Sequence, residues 1–177
     1  KRSKSLEGEK MIDISKLSDQ YNVRRLSRKD VQLIEQLQKG HLVYYEFCPP
    51  DPSAKSILDD MKALPPNKEL KDKYYIGFFD KDILLAVMDL IASYPNKDTV
   101  FVGFFMVNRD YCNQGIGKRI IEKCVQQLKN QGFSFIRLCY MKGNLQSEAF
   151  WRKCQFENTG IETDNGQGIV VVLERKL

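Results

Sequence analysis

Apolar positions along this chain follow two rhythms. Residues 74–79, 83–93 and 99–107 are runs rich in aromatic and β-branched side chains, separated only by Asp80-Lys81-Asp82 and Pro95-Asn96-Lys97-Asp98. Short polar turns between such runs predict three strands in an antiparallel meander. Beyond them the period lengthens: Ile116, Ile120, Ile121, Cys124, Val125 and Leu128 recur at helical spacing until Gly132 interrupts them, which predicts an amphipathic helix. Residues 133–140 return to a strand pattern, residues from about 147 to 154 suit a short helix, and residues 168–176 read as a β-branched closing strand.

The front of the chain opens with a short strand over residues 21–26. Ser27 and Asp30 then form a capping-box variant before a helix that places Val31, Ile34 and Leu37 on one face and stops at Gly40. Pro49, Pro50, Pro52, Pro65 and Pro66 surround a short helix predicted over residues 53–64, so this stretch reads as a mobile surface segment. Strand, helix, three strands, helix, strand, helix, strand is the order of an α+β protein, with a sandwich-like packing of helices on a sheet. At 177 residues the chain has the size of one domain. We assign residues 11–177 to it and read residues 1–10, KRSKSLEGEK, as a flexible arm or added leader.

Composition narrows the function classes. Five cysteines, an odd number with no C-x-x-C pair, and a single histidine, His41, argue against a disulfide framework and against a Cys/His zinc site, so no metal is expected. The longest apolar stretch, residues 83–94, is broken by Asp89 and falls short of the roughly 20 residues that span a bilayer, so no membrane association is expected. The basic start is not followed by the apolar core of a secretory signal, which leaves the cytoplasm as the default location. A net charge of +5, interleaved with acids instead of clustered, suits a polyanionic small molecule better than nucleic acid.

The most informative segment joins the third strand of the meander to the long helix: Val107-Asn108-Arg109-Asp110-Tyr111-Cys112-Asn113-Gln114-Gly115-Ile116-Gly117-Lys118. Glycines at 115 and 117 let the backbone approach a ligand, and the first N–H groups of a helix carry about half a positive charge. This is an anion site suited to a pyrophosphate, with Lys118 or Arg119 adding charge. A Rossmann loop would need a third glycine at Ile120, and a P-loop would need glycine at Cys112 and Ser or Thr at Arg119, so both fail. A glycine-containing helix start with no ligand is the alternative.

The segment resembles the acetyl-CoA loop of the GNAT acetyltransferases, V-x-P-x-x-(R/Q)-x-x-G-x-(G/A), through Val107, Gly115 and Gly117. Arg109 replaces the common proline, and Cys112 replaces the common Arg or Gln. Asn144, Ser147, Trp151 and Phe156 fall at the spacing of the family's later motif, N-x-x-(A/S)-x-x-x-Y-x-x-x-G-F, which also follows a strand. On their own, Asn144 reads as a helix cap and the aromatics as core. The resemblance implies the GNAT fold, a mixed, mostly antiparallel sheet of six to seven strands flanked by helices. It also implies acetyl-CoA as co-substrate, a bulge that splays strand 101–107 and frees backbone groups near Phe105 and Val107, and a cofactor site made of Phe105, Met106, Val107, Cys112, Asn113, Gln114, Gly115, Ile116, Gly117, Lys118, Asn144, Ser147 and Trp151.

In that family an amine attacks the thioester directly, aided by a base and by an acid that protonates the leaving thiolate. Trp151 stands where the acid tyrosine is common, and residues 99–107 lack the glutamate that often serves as base. Tyr140, at the end of its strand, is the catalytic candidate; a strand-end tyrosine with a core ring and a wet tip is the alternative. His41 and Glu46 precede the proline-rich segment and receive no role. The expected activity is N-acetylation of a primary amine in a small molecule or peptide, with an acetyl-CoA-binding sensor of weak activity as the alternative. Residues 40–73 are expected to wall the acceptor site, where Asp51, Asp59 and Asp60 could attract a cation or be ordinary surface charges. Exposed strand ends over residues 168–176 could pair two copies into a homodimer.

Overall fold

The computed structural model describes residues 10–177; of the segment read as an arm, residues 1–9 lie outside the described residues. Lys10 is held, its Nζ lying 2.7 Å from Asp98 Oδ1 and 2.8 Å from the Gly132 carbonyl. Among the described residues no helix is long and apolar enough to cross a membrane.

Strand β1 (Asn22–Arg25) leads through a single 3-10 turn into helix α1 (Val31–Lys39). The expected capping box is present: Asp30 Oδ2 accepts from Ser27 N at 2.8 Å, and Ser27 Oγ accepts from Lys29 N at 3.3 Å. Helix α1 stops at Gly40, but Gly40 keeps a right-handed φ of −70°. Glycine suits this position for another reason, since a Cβ would sit 3.0 Å from Arg109 Cβ, a tight contact. Helices α2 (Leu42–Phe47) and α3 (Ala54–Asp60) follow, the second capped by Ser53.

The meander is β2 (Lys73–Asp80), β3 (Ile83–Ile91) and β4 (Thr99–Val107); then come α4 (Ile116–Asn130), β5 (Phe135–Met141), α5 (Leu145–Lys153), β6 (Glu157–Asp164) and β7 (Ile169–Lys176). They form one seven-stranded sheet in the order β1-β2-β3-β4-β5-β7-β6, antiparallel at every pairing except β4–β5. Because side chains alternate along a strand, the sheet feeds two cores. Ile76, Phe78 and Met88 pack with Ile120, Leu128 and Trp151 under α4 and α5, whereas Tyr75, Val87 and Met106 pack with Ile34, Leu37 and Ile57 under α1 and α3. Double burial explains why β2 and β3 read as nearly unbroken apolar runs.

Several features depart from the sequence reading. Residues 42–47 form a helix although Leu-Val-Tyr-Tyr-Glu-Phe carries no clear helical period. Strand β6 escapes detection because seven of its eight residues are exposed, leaving no alternation to read. Strand β7 lies between β5 and β6, so residues 168–176 do not form a free sheet edge; among the described strands the edges are β1 and β6. Asn144 caps α5, which therefore begins at Leu145 instead of near 147.

One irregularity positions everything that follows. Strands β4 and β5 pair only from Thr99–Phe135 to Val102–Leu138 and then part. On its other side β4 shifts register against β3, with Asp89 opposite Phe104 and Leu90 opposite Val102. The unmatched residue is Gly103, so the expected bulge is present two residues before Phe105, and β4 runs free of β5 from there to Val107.

Candidate active site

Where β4 and β5 separate, a cleft of about 1080 Å³ runs across the sheet. One wall is Gly103 to Val107 of β4 with the loop leading into α4; the other is Cys139 to Met141 of β5 with α5. The structure brings Phe105, Met106, Val107, Cys112, Asn113, Gly115, Ile116, Gly117 and Lys118 to this cleft, and Tyr140, Asn144, Ser147 and Trp151 from the opposite side. Gln114 and Arg119 do not line it. Gln114 is exposed, and its Nε2 donates to the Asp110 carbonyl at 3.3 Å.

The loop residues contribute backbone more than side chain. Met106 and Ile116 bury their side chains in the two cores. Gly115 caps α4 in the left-handed region, φ 76°, and offers no side chain to the first turn. The first-turn residues Ile116, Gly117 and Lys118 line the cleft, and their N–H groups have no capping side chain, the arrangement that favours an anion. Gly117 serves packing as well as access: a Cβ there would lie 3.2 Å from both Phe150 Cε2 and Val107 Cγ2. Cys112 directs its thiol back toward the Val107 and Asn108 carbonyls, at 3.8 Å and 3.6 Å, so it does not replace a long polar side chain reaching the ligand.

Charge along the cleft has one sign. Lys39, Arg109, Lys118 and Lys153 line it, with no Asp or Glu among the lining residues. Lys39 is partly offset by Glu35 at 2.9 Å. Asp51, Asp59 and Asp60 do not line the cleft, and neither does Glu46. This suits a polyanion along the loop wall.

Asn144 is buried, and its Oδ1 accepts from Ser147 N at 3.2 Å, which fixes the first turn of α5 against the cleft. Trp151 is buried in an aromatic cluster, its ring centroid 6.0 Å from Phe105, 4.9 Å from Phe150 and 5.2 Å from Phe156. It joins α5 to β4 by packing, and its indole N–H can donate a hydrogen bond but is far too weak an acid to protonate a thiolate. Tyr140 is only half-buried; burial first, and Glu148 next, raise its phenol above the ordinary value. It therefore keeps its proton at neutral pH and stands at the end of β5 where the walls diverge.

His41 receives no role from sequence, yet it holds this region together. Its ring lines the cleft, and Nε2 lies 2.6 Å from the Val107 carbonyl. A carbonyl only accepts, so Nε2 carries the proton. Desolvation lowers the imidazole below its ordinary value, outweighing the Val107 bond. At the far end, Tyr44 and Cys48 of the α2 region face Phe104, with the Tyr44 and Phe104 rings 6.0 Å apart edge to face. Gln167, in the β6–β7 turn, donates Nε2–H to the Pro49 carbonyl at 2.7 Å and so links that turn to the segment after α2. Among the described residues no group of three or more His, Cys, Asp or Glu is placed to hold a metal ion.

The family model for the GNAT acetyltransferases matches residues 34–156, more than half of the chain, and the chain belongs to that family. No curated protein matches it by sequence. Among solved structures it is similar to an acetyltransferase from Thermus thermophilus, with a TM-score of 0.71, 15% identity, and coverage of 89% of this chain and 97% of that one. It is also similar to the PaiA N-acetyltransferase of Thermoplasma acidophilum in complex with coenzyme A (TM-score 0.64, 17% identity, 89% and 99% covered). A Bacillus subtilis acetyltransferase in complex with CoA gives a TM-score of 0.60 at 18% identity, again with 89% and 99% covered. At these identities the likeness is one of fold.

Proposed function

We propose that the chain transfers an acetyl group from acetyl-CoA to a primary amine of a small molecule or peptide. The observation that carries this reading is the parting of β4 and β5 after Val102 and Leu138, which exposes the β4 backbone to the cleft beside the uncapped start of α4. The N–H groups of that first turn would hold the pyrophosphate, with Lys118 adding charge. Backbone groups freed near Phe105 and Val107 would hold the pantetheine arm and polarise the acetyl carbonyl. Asn144 and Ser147 would flank the thiol end. The two CoA complexes among structures of the same fold support the choice of cofactor.

In this mechanism the amine nitrogen attacks the thioester carbonyl, the C–S bond breaks, and the Tyr140 hydroxyl protonates the departing sulfur. Alignment of the two reactants on a fixed wall supplies much of the acceleration. The second reading, an acetyl-CoA-binding module with little turnover, is favoured by one feature, the buried Trp151 in place of an acid. Titration of acetyl-CoA into the protein and into Gly117→Trp, followed by thiol-release assays with a panel of amines, decides between them. Binding with thiol release supports transfer, binding without release on any amine supports the sensor, and no binding to the folded protein removes both.

A further inference from the structure

Strand β3, Ile-Leu-Leu-Ala-Val-Met-Asp-Leu-Ile, carries a single charged residue, Asp89. Its register neighbours are Tyr75 on β2 and Phe104 on β4, beside the bulge. Lys73 Nζ lies 2.7 Å from Asp89 Oδ2 and 2.9 Å from the Ala63 carbonyl. Asp89 Oδ1 and the Tyr75 hydroxyl are both buried without a hydrogen-bond partner. An unpartnered buried acceptor is unfavourable and calls for an explanation.

Gly103 decides what Asp89 can reach. It is the extra residue of the bulge, it is exposed, and it lines the cleft. A Cβ at position 103 would lie 2.8 Å from Asp89 Oδ2. Any other residue would cover the carboxylate, so glycine leaves an opening between the cleft and Asp89. The Asp89 side chain retains 12% exposure. Oδ1 is not part of it, which leaves Oδ2 and the carbons.

We propose that Asp89 is the proton acceptor of the transfer, reached from the cleft through the space Gly103 leaves at the β4 bulge. The proposal rests on the acetyl-transfer reading above. As the C–N bond forms and the C–S electron pair goes to sulfur, the proton on the amine nitrogen passes to Asp89 Oδ2 and then to solvent. The carboxylate replaces the base that β4 itself lacks, from the adjacent strand. The charged and titratable groups that act on it are Lys73 and Tyr75 from β2 and Asp60 from the end of α3, and Tyr45 of α2 in turn interacts with Tyr75 and Asp60. Burial raises the Asp89 carboxyl above the ordinary value, and Lys73 opposes that shift, so its proton affinity moves toward that of a working base.

The test measures thiol release against pH for the unmodified protein, Asp89→Asn and Gly103→Ala. Phenylethylamine, spermidine and an alanine-led tripeptide serve as acceptors, and acetyl-CoA affinity is measured in parallel. Asp89→Asn should lower turnover by about 10²-fold and abolish the acidic limb of the pH profile, with acetyl-CoA affinity unchanged. Gly103→Ala retains both Lys73 and Asp89, covers the carboxylate with a Cβ 2.8 Å from Oδ2, and should also lower turnover with acetyl-CoA affinity unchanged, so it decides the matter if Asp89→Asn does not fold. Turnover and pH profile unchanged in both variants would overturn the role of Asp89 while leaving acetyl transfer intact. Binding of acetyl-CoA without release on any of these amines by the unmodified protein would overturn the transfer reading for them and the proton acceptor with it.

Discussion

His41 donates its Nε2–H to the Val107 carbonyl at 2.6 Å, tying the turn after α1 to the last residue of β4, where the loop into α4 begins. Replacing His41 with Ala removes a neutral hydrogen bond, typically about 1 kcal/mol. Acetyl-CoA affinity should fall by about five-fold, measured by titration calorimetry.

The same imidazole sets a pH dependence of stability. Burial holds its folded value below the ordinary 6.5, so the unfolded chain binds a proton first as the pH falls. Stability should therefore decline as pH drops through 6.5 and continue to decline until the lowered folded value is passed. His41→Gln should flatten that part of the curve. Thermal unfolding across the range is the measurement.

Gly117 packs between Phe150 and Val107, where a Cβ would meet both at 3.2 Å. Gly117→Ala should destabilise the fold by about 1–3 kcal/mol, the range for overpacking, read from denaturant unfolding. Gly117→Trp should eliminate acetyl-CoA binding while far-UV circular dichroism still reports helix and sheet.

Tyr140→Phe removes a hydroxyl and leaves the ring in place. If that hydroxyl protonates the thiolate, kcat should fall by about 10²-fold with acetyl-CoA affinity unchanged. Equal kcat values for the two proteins would transfer that step to solvent.

Lys73→Met leaves Asp89 buried without its countercharge, and loss of one partner of a buried pair is destabilising by about 3–5 kcal/mol. Without Lys73 the folded carboxyl value rises further above the ordinary 3.8, so protonation favours the folded state. The deficit of the variant should therefore shrink as pH falls toward the carboxylate range. Chemical denaturation at neutral and acidic pH measures it.

What can be read in the sequence follows from which residues face an apolar layer. The meander, α4 and β7 bury whole faces, so their periods are plain. Strand β6 exposes nearly all its side chains, and α2 places aromatics where a strand would, so neither leaves a readable period. At the site, Gly115 and Gly117 can be found because a backbone anion site has a glycine spacing. His41 and Asp89 cannot, since each acts through a partner distant in sequence, Val107 and Gly103. The one signal for Asp89 is its solitary charge in an apolar run, which on sequence grounds serves only to rule out a membrane span.

The Gln167–Pro49 hydrogen bond joins residues 118 positions apart, next to Cys48 and close to Asn165, which line the cleft. It makes the segment between α2 and α3 and the β6–β7 turn a single clasp. If the proposed acceptor enters at this end of the cleft, widening the mouth would either break that bond or carry both sides together. Size selection would then be a property of the joined pair, and a change in the length of the β6–β7 turn would be transmitted to the opposite bank.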